Sequence, residues 1–135
     1  MKAMTSRTPN AQEIESVLLL EAPRRYEHWI KKVADQEEVW SLWQDGGWAM
    51  AADDAGREAV PVWHHPTYAE LCANGVWDGY QPRMIALDDW LARWIPGMER
   101  DKRVVAVFPT PNDKGVVVEP KRLGTDLREE LTNYE

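Results

Sequence analysis

Apolar residues recur along this chain first at helical and then at strand spacing. Ile14, Val17 and Leu18 fall at i, i+3, i+4 behind Asn10, an N-cap residue with Glu13 three positions on. Pro23 interrupts that helix and suits the first position of a second one. Tyr26, Trp29, Ile30 and Val33 then mark an apolar stripe over residues 24–34, with Arg24, Arg25, Glu27, Lys31 and Lys32 on the other sides. The period changes at Val39-Trp40-Ser41-Leu42-Trp43, a run of β-formers. Asp45-Gly46-Gly47 signals a turn, and Trp48-Ala49-Met50-Ala51 reads as the returning strand. A second turn at Asp53-Asp54-Ala55-Gly56 leads to a third strand, Ala59 to Trp63. Pro61 donates no hydrogen bond there, so this strand is an edge strand or has its proline at a free edge position.

The second half repeats the alternation. Residues 66–74 read as a helix that opens at Pro66, packs through Tyr68, Leu71 and Cys72, and ends at Asn74-Gly75. Met84 to Leu87 is a short strand. Asp88 is placed to cap a helix with Trp90, Leu91, Trp94 and Ile95 on its apolar side, and Pro96-Gly97 to stop it. Val104 to Phe108 is continuously apolar, as in a strand covered on both faces. Pro109 to Lys114 is a turn, Gly115 to Val118 the hairpin partner, and Pro120 opens a last helix with Leu123, Leu127 and Leu131. The sum is about five helices and about six short strands, a single compact α+β domain over residues 10–135 behind a loose tail at 1–9. Hairpin connections favour a small, mainly antiparallel or mixed sheet.

Composition narrows the function classes. The 135 residues suit one domain. Lys and Arg number 16 against 23 Asp and Glu, a net charge of −7, so a nucleic-acid polyanion would be repelled and a basic partner attracted. One cysteine, Cys72, excludes an internal disulfide and any multi-cysteine zinc site. No apolar run reaches the 18 residues or so of a membrane span, and none near the start forms a signal-peptide core. The expectation is a cytoplasmic protein that engages neither membrane nor nucleic acid.

Several residue groups invite a chemical reading. His64 and His65 are adjacent, so on a strand they point to opposite faces, and His28 is remote in sequence; the expectation is no metal and no cofactor, with the histidines capping the helix at Pro66. Cys72 sits late on a helix face, as a small core residue does, rather than at a helix N-terminus, as an activated nucleophile does. Asp53-Asp54 and Asp88-Asp89 suit turn and cap duties. Pro109-Thr110-Pro111 reads as a rigid turn. Of the eight Trp, Trp29, Trp90 and Trp94 lie on helical stripes and belong to the core. Trp77-Asp78-Gly79-Tyr80 places two aromatics in a loop, where recognition residues concentrate. Trp63, His65, Trp77 and Tyr80 form the candidate binding set, the alternative being that Trp63, Trp77 and Tyr80 roof a second small core, and no catalytic residues are assigned.

The strings Arg25-Tyr26-Glu27-His28-Trp29-Ile30-Lys31-Lys32-Val33-Ala34-Asp35, Glu38-Val39-Trp40, Gly47-Trp48-Ala49, Pro61-Val62-Trp63 with His65-Pro66, Val107-Phe108-Pro109-Thr110-Pro111 and Gly115-Val116-Val117-Val118-Glu119-Pro120 have a collective likeness. Together they resemble the bacterial family catalogued as domain of unknown function 2750, over roughly residues 10–131. His64 stands where that pattern has a second proline. Residues 59–131 also follow the element order of SseB-type domains, a weaker likeness that implies a small non-catalytic α+β module. The expectation is therefore a non-enzymatic protein-interaction module, adaptor or toxin-immunity-like, with a basic partner. The alternative is a small-ligand binder or enzyme with a pocket under the 76–80 loop.

Overall fold

A computed structural model describes residues 8–134. The expected tail falls mainly on residues 1–7, outside the described residues; Pro9 is buried. Helix α1 (Ala11–Leu18) is capped by Asn10, whose Oδ1 accepts from the Glu13 N–H at 2.8 Å. Helix α2 (Ala22–Gln36) carries Pro23 in its first turn and ends at Glu37, whose φ of 63° is left-handed. Strand β1 (Glu38–Gln44) returns through Asp45-Gly46 into β2 (Gly47–Trp48). Both turn residues have positive φ, 47° and 84°, the backbone of the two-residue hairpin turn that Asp-Gly favours.

The expected return strand divides here. Trp48 pairs with Trp43, but the chain then leaves β1, and Ala51–Ala52 (β3) joins a different sheet by pairing with β4 (Glu58–Val62). The chain continues through α3 (Pro66–Leu71), a 3-10 turn (Gly75–Trp77), β5 (Gln81–Ala86), a long helical segment, β6 (Val104–Val107), β7 (Val116–Val118) and α6 (Pro120–Leu131). Seven strands thus form two sheets, β2-β1-β5 and β3-β4-β6-β7. The first is antiparallel; the second is mixed, because β4 and β6 run parallel while β3 and β7 flank them antiparallel. The architecture is α+β, as the alternating periods predict.

One backbone bridge joins the sheets: Trp40 and Trp63 exchange N–H···O=C bonds of 2.9 and 2.8 Å. Beside it the Ser41 hydroxyl donates to the Pro61 carbonyl at 2.6 Å. Backbone N and C=O of one strand residue point the same way, so Pro61's missing N–H falls on this side, beyond the end of β3. The β4–β6 ladder is therefore undisturbed, which is how a proline sits inside a four-stranded sheet.

The helical segment over residues 87–100 differs from expectation at both ends. It starts at Leu87, so Asp88 and Asp89 lie in its first turn, facing the positive end of the helix dipole, instead of Asp88 capping it. It also runs through Pro96-Gly97. Helix α4 (Leu87–Asp89) passes into a π-helical stretch (Trp90–Trp94) and then α5 (Ile95–Arg100). A proline within an α-helix lacks one N–H and crowds the carbonyl a turn back; the wider π turn ahead of Pro96 accommodates both. Trp29 and Trp90 are fully buried, whereas Trp94 is half-buried, its ring stacked on Trp90 at 5.6 Å.

The core lies between the inner face of the mixed sheet (Val60, Val62, Val105, Val107) and helices α2, α5 and α6, which contribute Trp29, Val33, Ile95, Leu123 and Leu127. The Arg25 guanidinium is buried with it. Arg25 is 2% exposed; its Nε donates to the Phe108 carbonyl (3.2 Å), one terminal nitrogen to the Leu20 carbonyl (2.6 Å) and the other to Asp113 Oδ2 (2.9 Å). Replacing Arg25 with Leu orphans the buried Phe108 carbonyl and the part-buried Leu20 carbonyl, so unfolding stability should fall by about 2–4 kcal/mol. Asp113 is 41% exposed, and Asp113→Asn should cost under about 1 kcal/mol. Urea unfolding of both variants checks this; an Arg25→Leu protein as stable as the parent would contradict it.

Candidate functional site

Phe108 and Pro109 offer two successive carbonyls that collect buried donors. Phe108 has φ 58°, a left-handed conformation unusual for a bulky side chain, and its carbonyl accepts from Arg25. The Pro109 carbonyl accepts from Trp63 Nε1 (2.9 Å) and Cys72 Sγ (3.4 Å). Thr110 and Asp113 then close a small turn through N–H···O=C bonds of 2.8 and 3.2 Å, and Asp113 Oδ1 accepts from the Gly115 N–H (3.0 Å). The Arg25 guanidinium beside Asp113 holds its carboxyl below the usual range. Gly115, at φ 81°, has no room for a side chain, since a Cβ would strike the Val107 carbonyl. The 108–115 turn is thereby fixed from α2, α3 and β4 together, and it sets the position of β7.

Two recesses flank β7. On the outer face of the mixed sheet a recess of about 220 Å³ has a floor of Ala51, Ala59, Ala106 and Val117, with Trp77 on one side and Thr110, Asp113 and Lys114 on the other. On the other side an open trough of about 840 Å³ runs between α2 and α6, with Tyr26, Ile30, Val116, Val117 and Val118 along its bottom. Successive strand residues point to opposite faces, so a trough that touches three in a row follows the strand's edge. Among the described residues that edge is free, since β7 pairs with β6 alone. The Tyr26 hydroxyl donates to Asp126 (2.5 Å), with Arg122 3.7 Å from the same carboxylate. Burial, with Asp126 alongside, pushes the Tyr26 phenol well up. Glu27, Glu129 and Glu130 stand on the rim with Lys31.

The four residues of the sequence-derived set do not form one surface. Trp63 is fully buried, its ring edge-on to Trp77 with centroids 6.2 Å apart, so it supports the outer recess from beneath. Trp77 and Tyr80 are half-buried, and Trp77 Nε1 reaches the Met50 carbonyl at 3.4 Å. Their neighbour Val76 is 89% exposed. His65 lies elsewhere: buried, it caps α3 by accepting from the Thr67 N–H through Nδ1 (3.1 Å). The capping expected of the histidines thus holds for His65. His64 instead points inward, its ring 4.9 Å from both His28 and Tyr68 and 5.3 Å from Phe108. Among the described residues no group of three or more His, Cys, Asp or Glu could hold a metal ion. The trough was not legible beforehand: Tyr26 and Ile30 read as core positions, and only the packing of α2 against α6 leaves a gap above them.

A family model described as a protein of unknown function, DUF2750, matches residues 26–127. The chain belongs to that family. The span matched to DUF2750 includes β7, the 108–115 turn and the whole trough floor, while Glu129 and Glu130 lie just beyond it. No curated protein and no solved structure matches the chain.

Buried titratable groups next to this region yield two expectations. Burial raises the Cys72 thiol to about 11, so the thiolate is scarce at neutral pH and labelling of the folded protein should be slow; rapid modification at pH 7 would show a more exposed thiol. Burial lowers His64 well below 6.5, with His28 and Lys32 adding to it, and His28 is lowered by its own burial. The unfolded state therefore binds protons that the folded state refuses. Stability should be full above about pH 6.5 and fall below it, by up to about 1.4 kcal/mol per pH unit per histidine. Urea titrations at pH 7.5 and 5.5 measure the loss, and His64→Phe should make it shallower.

Proposed function

We propose that this chain is a non-enzymatic protein-binding module that receives a basic partner on the β7 side of the molecule. The observation that carries the reading is the free edge of β7 lying at the bottom of a trough with an apolar floor and a mainly acidic rim. An open trough that follows a strand suits a polypeptide segment better than a small molecule, which is usually enclosed on most sides. The outer recess beside Trp77 is smaller than the roughly 300 Å³ at which small-molecule pockets begin, which ranks the ligand-pocket alternative second. The net charge of −7 would steer a basic partner towards the module, in an adaptor or toxin-immunity-like role. A cytoplasmic location goes with this reading.

The test compares capture by the parent with capture by Glu129→Lys/Glu130→Lys and by Trp77→Ala, at low and high salt. The parent should retain a discrete basic protein that is released as salt rises. The charge-reversed variant should lose it while melting normally. Because Trp77 is half-buried over Trp63, Trp77→Ala should lower melting modestly and weaken capture if the partner extends to the outer recess. Capture unchanged by the charge reversal would remove the trough from the binding site.

A further inference from the structure

The hydrogen bonds around β6 show which way the groups of β7 face. Phe108 N–H donates to the Val62 carbonyl (2.9 Å), so the peptide between Val107 and Phe108 turns its N–H towards β4 and its C=O towards β7. Strand residues alternate, so Val105 and Val107 direct their N–H and C=O groups at β7, and Ala106 directs its own at β4. The register pairs Val105 with Val118, Ala106 with Val117 and Val107 with Val116. Val118 and Val116 therefore exchange hydrogen bonds with β6, and the N–H and C=O of Val117 point out along the free edge. Val117 is 39% exposed and lines both recesses.

We infer that β7 accepts an extended, cationic segment of a partner protein as an additional strand, paired through the backbone of Val117. This rests on the binding-module reading above and names the form of its ligand. A strand laid beside β7 would pair one residue with Val117 and drop its next apolar side chain onto Tyr26 and Ile30 in the trough. Asp126 is engaged by Tyr26 and Arg122, which leaves Glu27, Glu129 and Glu130 against Lys31 on the rim. That excess of carboxylate selects Lys or Arg at the trough-facing positions on either side of the apolar one. A second copy of this chain is disfavoured as the occupant, since two acidic rims would face each other across the new strand pair.

The probe is an array of nine-residue peptides carrying each apolar residue in turn at one trough-facing position, Lys at the other positions of that same face and Thr on the opposite face, titrated against the intact protein by fluorescence anisotropy. The best peptide should bind at least about tenfold more weakly when its central amide is N-methylated, because the pair to Val117 is lost. Val117→Pro should weaken it equally while leaving folding intact, since proline there removes an N–H that β6 does not use. Replacing Lys with Glu in the peptide, or Glu129 and Glu130 with Lys in the protein, should abolish binding. Protection of the Val117 amide from hydrogen exchange should appear only with the peptide bound. Binding that ignores N-methylation, or a helix-locked peptide that binds as well, would overturn strand addition and leave the binding-module reading standing. Failure of every peptide to bind would overturn both. A dimer of the free protein in sedimentation that Val117→Pro dissociates would overturn the cationic partner and make a second copy the occupant.

Discussion

Arg25 is the point on which the β7 side of the molecule depends. A guanidinium taken out of water must find acceptors for its donors, and here they are the carbonyls of Leu20 and Phe108 and the carboxylate of Asp113. Those three acceptors lie at the end of α1, at the end of β6 and in the following turn. One side chain of α2 thus fastens the helical layer to the hairpin that carries β7. The left-handed Phe108 and the side-chain-free Gly115 are conformations a chain avoids unless its surroundings impose them, and Arg25, Trp63 and Cys72 supply that imposition.

The consequence is a short edge strand held at a fixed height beside a gap between two helices. An edge strand is ordinarily a hazard, and natural proteins shorten it or place charge around it. Both devices are present: β7 has three residues, and the neighbouring rim is acidic. Under the proposed binding role, the same charge favours a basic strand over a neutral or acidic one.

The two sheets are a second constraint. Trp40 and Trp63 exchange backbone hydrogen bonds, and the Trp63 indole continues the connection to Pro109. A residue that serves a sheet junction with its backbone and the hairpin turn with its ring has no surface left to offer. Trp77 sits on it and is thereby oriented, which gives the outer recess its aromatic wall.

The local periodicities of the chain determined most of its elements, because helix and strand spacing, the Asn10 cap, the Asp45-Gly46 turn and the prolines at 23, 66 and 120 act within a few residues. The α+β class and the buried place of Cys72 followed from the same short-range rules. Tertiary structure decided the rest. Residues 48–52 look like one strand, yet they divide because Trp48 pairs back with β1 and Ala51–Ala52 pairs forward with β4, and those two strands belong to different sheets. Pro96 reads as a helix stop, but packing of Trp90 and Ile95 into the core carries the helix on through a π turn. Trp63 beside a turn and Trp77 within one look alike as sequence; only the Trp40 bridge and the Pro109 carbonyl make the first core and leave the second half-exposed. The trough over β7 is lined by α2 and α6, some ninety residues apart, and no local pattern encodes a gap between distant helices.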